Sequence, residues 1–225
     1  SEANECWTKV DELFNIKKLQ QETDYFNASN ELYKKGMALM PICFGISFTK
    51  TLMNQARALV HIYTDGSIGV STGAVEMGQG VNTKILQVVA KVFSVDPARI
   101  KINSTNTYRI ANTSPSAASA TADLNGKATE MACNEILKRL KQVAADELKL
   151  TPDFIELRDE CVYANGQKTE WDWKKLVMTT FIKRISLSEH AHYTPPGIHF
   201  DPSKEKGHPF AYHVFGTAII TVTID

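Results

Sequence analysis

The chain shows two hydrophobic periodicities, one of two residues and one close to the helical repeat of about 3.6, and these predict its elements. Alternation, or a short apolar run between turn residues, predicts strands at 37–50, 58–64, 67–72, 99–104, 154–158, 161–163 and 212–224. Helical spacing predicts helices within 5–36, after Gly80, from Ser114-Pro115 to about Leu148, and from Trp171 onward. Residues 188–210, rich in histidine and proline, predict a loop. The predicted fold class is therefore α+β, with mixed β-sheets and packed helices.

Charge and cysteine usage narrow the class of protein. Lysine plus arginine and aspartate plus glutamate number 25 each in 225 residues. A net charge of zero argues against nucleic acid or an anionic membrane as a partner held by bulk charge. The four cysteines form no C-x-x-C pair, so they favour a reducing, cytoplasmic environment over a zinc site or a disulfide framework. No apolar run reaches the ~18 residues of a membrane span, and the N-terminus does not resemble a signal peptide.

A cluster of three histidines raises the question of a metal site. His190, His192 and His199 lie within ten residues of one another. Their spacing matches neither a helical nor a zinc-finger pattern, and no cysteine is near them in the sequence. We therefore do not predict a metal site there.

Both ends of the chain indicate a piece of a longer protein. It begins with Ser1 rather than methionine, and it stops at Asp225 directly after a strand-like run. We expect residues 1–225 to be a fragment of one domain, with a division into two subdomains near 150–190 left open.

A glycine-rich stretch, Gly73-Ala-Val-Glu-Met-Gly-Gln-Gly, joins a predicted strand to a predicted helix. Glycines allow a tight turn, and a helix N-terminus offers free N–H groups to an anion. The phosphate loop of nucleotide hydrolases needs lysine and Ser/Thr where this stretch has Gln79 and Gly80. The dinucleotide fingerprint needs a third glycine at Thr83. The neutral Gln79 carboxamide suits an oxo or pterin-like ligand, because it both donates and accepts hydrogen bonds; a turn without any ligand is the alternative.

A second unusual stretch, Asn112-Thr-Ser-Pro-Ser-Ala-Ala-Ser-Ala-Thr-Ala-Asp-Leu-Asn-Gly, carries almost only small side chains at 114–122. Ser114-Pro115 predicts a helix start, since proline is favoured in the first helical turn. Small side chains let a ligand lie against the backbone, although they also suit a helix packed closely on a neighbour. Two such helix starts in one domain favour a ligand site.

Taken together, these strings resemble the molybdenum-binding region of the xanthine dehydrogenase and aldehyde oxidase family. The resemblance runs from about Asn27 to Asp225, and Gly45-Ile-Ser-Phe-Thr brings it closer to the xanthine dehydrogenases within that family. Other matching strings are Tyr63-Thr-Asp-Gly, Arg184-Ile-Ser-Leu-Ser, Tyr193-Thr-Pro and Gly207-His-Pro-Phe-Ala-Tyr-His-Val-Phe-Gly.

The resemblance implies a molybdopterin-binding domain of a molybdenum hydroxylase. Such an enzyme oxidises xanthine and hypoxanthine to urate, taking its oxygen from water, with molybdenum held by a pyranopterin dithiolene. The resemblance further implies [2Fe-2S] clusters, FAD and NAD in the parent enzyme but not on this chain. Its implied partners are a purine substrate, the remaining domains or subunits, and a second copy in a homodimer.

The resemblance also assigns residues. Those implied to bind the cofactor are Met77, Gly78, Gln79, Ala117, Ala118 and Ser119, and the Ala118 backbone would lie beside the metal without a side-chain ligand. Phe48 would pack against the purine ring, and Thr49 would contact the substrate.

One departure from the family limits the expected activity. The family's general base is a glutamate in a Gly-Glu-Pro-Pro string, which this sequence lacks. The matching position of Glu76 is not catalytic in the family. We therefore expect no catalytic residue within this chain and no activity from it alone. Hydroxylation of another heterocycle or an aldehyde, or a non-catalytic scaffold role, remain the alternatives.

Overall fold

The computed structural model describes residues 1–103 and 105–225. Their contacts divide the chain into a terminal unit, Ser1–Ile46 with Phe210–Asp225, and a central unit, Ser47–Pro209. The subdivision expected near 150–190 stays a prediction. The mixture of helices and sheets confirms the α+β class.

Five helices and eleven strands make up the described chain, with single 3-10 turns at Thr51–Met53, Pro97–Arg99 and Pro152–Phe154. The helices are α1 (Glu2–Phe14), α2 (Ile16–Ser29), α3 (Val81–Phe93), α4 (Thr121–Leu148) and α5 (Trp173–Ile182). The strands are β1 (Lys34–Ile46), β2 (Ala56–Ile62), β3 (Ile68–Thr72), β4 (Ile100–Asn103), β5 (Ile155–Arg158), β6 (Cys161–Ala164), β7 (Gln167–Asp172), β8 (Ser188–Tyr193), β9 (His199–Asp201), β10 (Lys206–His208) and β11 (Tyr212–Ile224).

In the terminal unit, the predicted helical opening is two helices, because the chain turns at Asn15. Asn15 adopts a left-handed backbone (φ 47°), and its side chain accepts a hydrogen bond from the Lys18 amide in the first turn of α2. Asparagine tolerates this conformation and caps helices well. The sequence therefore predicted the helical structure here but missed its break.

The two long strands of the terminal unit form an antiparallel ribbon, with Lys34 opposite Ile224 and Ile46 opposite Tyr212. Helices α1 and α2 contact this ribbon. The prediction that 37–50 is a buried strand is wrong on burial and on its end at Ile46, since Met40 is 61% exposed and Phe44 is 58% exposed. A two-stranded ribbon has two faces, and an apolar run does not show how many of them are covered.

The central unit is built on a four-stranded mixed sheet in the order β4-β3-β2-β8. Strands β2 and β3 form the predicted hairpin through the turn at Asp65-Gly66, and β3 runs parallel to β4. Helix α3 makes the crossover between these parallel strands, so residues 73–80 connect the end of β3 to the start of α3. The prediction that 188–210 is a loop is wrong, because β8 pairs with β2 along the sheet edge and β9 pairs with β10.

The core of the central unit lies between this sheet and helices α3 and α4. Its fully buried side chains include Val60, Val70, Ile85, Phe93 and Ile136. Burying each such side chain stabilises the fold by roughly 1.5–3 kcal/mol. This packing fixes the start of both helices relative to the sheet.

Two helix starts differ from the sequence prediction. Helix α4 begins at Thr121 rather than at Ser114-Pro115, because Ala118 and Ser119 have positive φ values of 53° and 51° that no helix accepts. Helix α5 begins at Trp173, with the Asp172 carboxylate capping the Lys175 amide at 2.7 Å. Trp171 ends up in β7, the last strand of the β5-β6-β7 meander.

Candidate functional site

The segment between β3 and α3, residues 73–80, is here called the glycine loop. Its single carboxylate, Glu76, folds back and accepts hydrogen bonds from the backbone N–H groups of Gly78 and Gly80 at 2.9 Å and of Asn82 at 3.0 Å. These amides, first of all that of Asn82, lower the pKa of Glu76. The sequence predicted that these backbone amides would be free to bind an external anion. In the structure they donate hydrogen bonds to the Glu76 carboxylate instead.

Within the same loop, the Gln79 carboxamide bridges two backbone groups. Its Oε1 accepts from the Met77 N–H at 2.6 Å, and its Nε2 donates to the Val75 carbonyl at 2.7 Å. A primary carboxamide has two N–H donors and two acceptor lone pairs. One donor and one lone pair of Gln79 therefore remain for a ligand.

The second loop, residues 112–120, is here called the alanine-serine loop. Ala118 and Ser119 both adopt the left-handed conformation, with the Ala117 carbonyl accepting from the Ala120 N–H at 3.2 Å. Left-handed backbone is unfavourable for residues other than glycine. Strain of this kind concentrates at ligand-binding and catalytic segments.

Two contacts join the loops. The Val75 N–H donates to the Ser116 Oγ at 2.8 Å, across 41 residues of sequence. Gly73 packs so closely on Thr113 that a Cβ added to the glycine would lie 2.1 Å from the threonine Oγ1. Both predicted stretches therefore belong to one local structure.

A cavity of about 330 Å³ lies where the loops meet. Its walls are Met77, Gln79, Val81, Lys84, Ser116, Ala117, Ser119, Thr121 and Ala122. Four of the six residues expected to bind a cofactor line this site cavity, and the other two, Gly78 and Ala118, lie in the same loops. The volume is at the small end of the range for ligand pockets, roughly 300–1,000 Å³. Sequence reasoning missed Lys84, the one cation among these walls.

The predicted substrate residues Phe48 and Thr49 lie beside the alanine-serine loop rather than in the site cavity. Their position is fixed through Ser47, whose N–H donates to the Ala118 carbonyl at 3.3 Å. Asn54, only 4% exposed, accepts from the Phe48 N–H and donates to the Phe48 carbonyl, both at 2.8 Å. Phe48 is half-buried and Thr49 is exposed. No motif in the sequence pointed to Asn54, because its role depends on contacts with main-chain atoms.

The remaining chemistry-bearing residues are dispersed. Over residues 1–103 and 105–225, no three of the His, Cys, Asp and Glu side chains are arranged to hold a metal ion. His190 and His192 lie on β8, whereas His199 lies on β9 with its ring 5.2 Å from that of His208. None of the described helices is both long and apolar enough to cross a bilayer.

Comparison with known sequences places this geometry in context. Residues 9–225 match the family described as the molybdopterin cofactor-binding domain. The chain is 38% identical over 222 residues to xanthine dehydrogenase 1 of Arabidopsis thaliana. This match covers 99% of this chain and 15% of that protein. It is 37% identical over 220 residues to xanthine dehydrogenase/oxidase of Gallus gallus, covering 98% and 15% respectively. The chain therefore spans about 15% of the length of these relatives.

Two solved structures of oxidoreductases have a similar fold. Quinoline 2-oxidoreductase from Pseudomonas putida 86 matches with a TM-score of 0.81 at 18% identity, covering 98% of this chain and 28% of that chain. Aldehyde oxidoreductase from Desulfovibrio desulfuricans ATCC 27774 matches with a TM-score of 0.68 at 16% identity, covering 93% and 20%. At this level of identity the likeness shows the fold alone.

Proposed function

We propose that the glycine loop and the alanine-serine loop form one wall of the molybdenum cofactor site of a purine hydroxylase. The premise is that this chain belongs to the molybdopterin cofactor-binding domain family. The reaction would convert xanthine and hypoxanthine to urate, with water as the source of oxygen. The observation that carries the proposal is that the two loops line a single cavity. They are joined by the hydrogen bond between Val75 and Ser116, which lie 41 residues apart in the sequence.

The residues around the site cavity fit a molybdopterin. Gln79 keeps a free donor and a free acceptor, which suits the hydrogen-bonding edge of a pterin. Ala117, Ser119 and Ala122 have small side chains, so a flat ring can approach the backbone closely. Lys84 supplies a positive charge at the wall for an anionic group. When bound, the cofactor supplies the molybdenum centre at which the substrate is oxidised.

The chain's own groups would bind and orient. We assign cofactor binding to Met77, Gly78, Gln79, Ala117, Ala118 and Ser119, with the Ala118 backbone beside the metal. The anionic part of the cofactor would face Lys84 rather than the start of α3, because the Glu76 carboxylate already holds the amides there.

Substrate contacts are assigned to the segment beside the alanine-serine loop. The half-buried ring of Phe48 offers an apolar face on which a purine can pack. The exposed Thr49 hydroxyl can donate to or accept from the purine. Asn54 fixes this segment through both backbone groups of Phe48, which limits its freedom before substrate arrives.

The general base of the hydroxylation would come from outside this sequence, since no Gly-Glu-Pro-Pro string occurs in it. In this proposal, [2Fe-2S] clusters, FAD and NAD belong to other parts of the whole enzyme, which functions as a homodimer in the cytoplasm. This chain would be inactive by itself.

The test is elemental analysis of the whole protein combined with xanthine oxidation in the same sample. Molybdenum near one atom per site together with urate formation is the expected result. Molybdenum without urate would reject the purine assignment and leave another heterocycle or an aldehyde as substrate. Protein free of molybdenum, from a host that makes the cofactor, would reject the proposal in favour of a scaffold role.

A further inference from the structure

Glu76 is the one charged side chain of the glycine loop, and the proposed function gives it no task. Its carboxylate does not line the site cavity but lies among backbone amides of its own loop. We propose that Glu76 is a positioning residue, which fixes the glycine loop in the conformation that presents Gln79 to the molybdopterin. This inference rests on the proposed function.

The geometry around Glu76 is that of a three-point clip. One carboxylate oxygen accepts from the Gly78 and Gly80 amides, and the other accepts from the Asn82 amide. An ionised carboxylate is an acceptor only, so it suits three converging donors better than any other side chain of its size. Hydrogen bonds to a charged acceptor are also stronger than those between neutral groups.

The glycine loop needs such a clip because side-chain packing does not hold its apex. Gly78 and Gly80 have positive φ values of 100° and 75°, and a Cβ added to either would meet nothing within 4 Å. Glycines in open space have the largest conformational freedom of any residue. The hydrogen bonds that Glu76 accepts and that Gln79 makes must therefore supply the order that packing supplies elsewhere.

The two side chains depend on one another. The Gln79 side chain binds Met77 and Val75, which flank Glu76 on either side. Glu76 in turn binds Gly78 and Gly80, which flank Gln79. Releasing the Glu76 carboxylate frees both neighbours of Gln79, so the carboxamide loses its fixed direction toward the site cavity.

A purely structural helix cap is the competing explanation, and a matched control separates the two. Asp172 caps α5 through the Lys175 amide and takes no part in the walls of the site cavity. The experiment compares Glu76→Ala, Glu76→Gln, Gln79→Ala, the double variant E76A/Q79A and the control Asp172→Ala in the whole protein. The readouts are thermal unfolding, amide hydrogen exchange over 75–82, pterin content by fluorescence after oxidation, molybdenum content and kcat for xanthine.

The clip predicts a distinct set of results. In the E76A protein, the amide hydrogens of Gly78, Gly80 and Asn82 should exchange with solvent at least about 10-fold faster than in wild type. Pterin content or kcat should fall roughly 10- to 100-fold, which is the effect of removing other supporting residues of metal sites. E76Q should be intermediate, because its oxygen can still accept from the two glycine amides while its NH2 group opposes the Asn82 N–H. E76A/Q79A should be no more than about twofold worse than Q79A, since both substitutions remove one function. D172A should keep wild-type pterin content.

Three outcomes would overturn the inference. The first is an E76A protein with wild-type pterin content, kcat and amide exchange. The second is independent, multiplying effects of E76A and Q79A on kcat. The third is a D172A protein that loses as much pterin as E76A at an equal melting temperature. Wild-type protein without pterin and molybdenum would instead reject the proposed function, and the exchange rates would still decide whether Glu76 orders the loop.

Discussion

Replacing Gly73 by alanine tests whether the site depends on close contact between its two loops. The alanine Cβ would lie 2.1 Å from the Thr113 Oγ1 and 2.6 Å from the Thr113 Cβ. Cβ atoms essentially never approach other atoms to less than 3.0 Å. The alanine-serine loop would therefore have to move away from the glycine loop.

The expected loss of stability follows from two opposing effects. Overfilling a packed position costs about 1–3 kcal/mol. Replacing glycine where its φ is acceptable to other residues, as at Gly73, stabilises by about 0.4–1 kcal/mol through the unfolded state. Because the clash at 2.1 Å is severe, the upper half of the overfilling range applies, and the net effect is a destabilisation of about 1–2.6 kcal/mol. This lowers the Tm of an unfolding unit of about 150–250 residues by about 2–10 °C.

Second-site variants at Thr113 make the assay specific. Thr113→Ala leaves the Cβ that lies 2.6 Å from the added methyl group, so G73A/T113A should remain destabilised relative to T113A. Thr113→Gly removes all three clashing atoms, Oγ1, Cβ and the Cγ2 at 2.7 Å, so the destabilisation caused by Gly73→Ala should nearly vanish in the T113G background. Thermal unfolding of all five variants with wild type gives two double-mutant cycles.

The reasoning would be refuted by a G73A protein as stable as wild type with full pterin content. The reasoning would equally be refuted if Gly73→Ala were as harmless to stability in the T113A background as in the T113G background. The threonine Cβ would then not be the obstacle. Either result would mean that the loops are not held in the close contact described above.

Three further substitutions have expected outcomes. Gln79→Ala should lower kcat for xanthine far more than it lowers Tm, because its side chain binds only its own loop and faces the site cavity; an unchanged rate would remove Gln79 from the site. Asn54→Ala should destabilise by about 1–3 kcal/mol and raise KM for purine, since it leaves both backbone groups of Phe48 unpaired; unchanged KM would contradict the role of that segment. Glu160→Gln should lower the free energy of unfolding by about 1–3 kcal/mol at pH 7, because it weakens the hydrogen bond that the Arg99 Nη2 donates to the Glu160 Oε2 at 2.8 Å. The Arg99 hydrogen bond lowers the Glu160 pKa below its ordinary 4.5, so this contribution is present above pH 4.5 and is lost as pH falls through the lowered pKa. Urea unfolding of E160Q and wild type should therefore converge in acid, and a difference that persists there would refute the ion-pair argument.

Sequence periodicity was sufficient to predict the helices and strands that bury one face and expose the other. Strand β2 and helix α3 each have one fully buried face, so their patterns are clear, and the Asp65-Gly66 turn signal indicates the return strand β3, which is buried on both faces. Strand β8 was missed because it lies at the sheet edge, where the exposed histidines His190 and His192 occupy positions at which a buried strand would show an apolar stripe. The start of α4 was misplaced because nothing in a run of small residues shows that Ala118 and Ser119 take left-handed backbone.

The resemblance named both loops of the candidate site, but the sequence did not show the contacts that hold these loops. Matching strings named six residues for the cofactor, and four of them line one cavity. The contacts that hold these residues were invisible, because they join side chains to main-chain atoms. Glu76 looked like a spare carboxylate, and Ser116 gave no sign of its bond to the Val75 amide.

The two loops reach the cavity in different physical states, and this difference bears on how a ligand would be held. The glycine loop is satisfied by its own side chains, so its shape is set before a ligand arrives. The alanine-serine loop contains two successive left-handed residues other than glycine and is tied down by Ser47 and by the Val75–Ser116 contact. Strained segments persist only where their surroundings hold them. Ligand contacts at Ala117 and Ser119 would therefore stabilise the loop that most needs support, whereas Gln79 would act from a loop that is already in place.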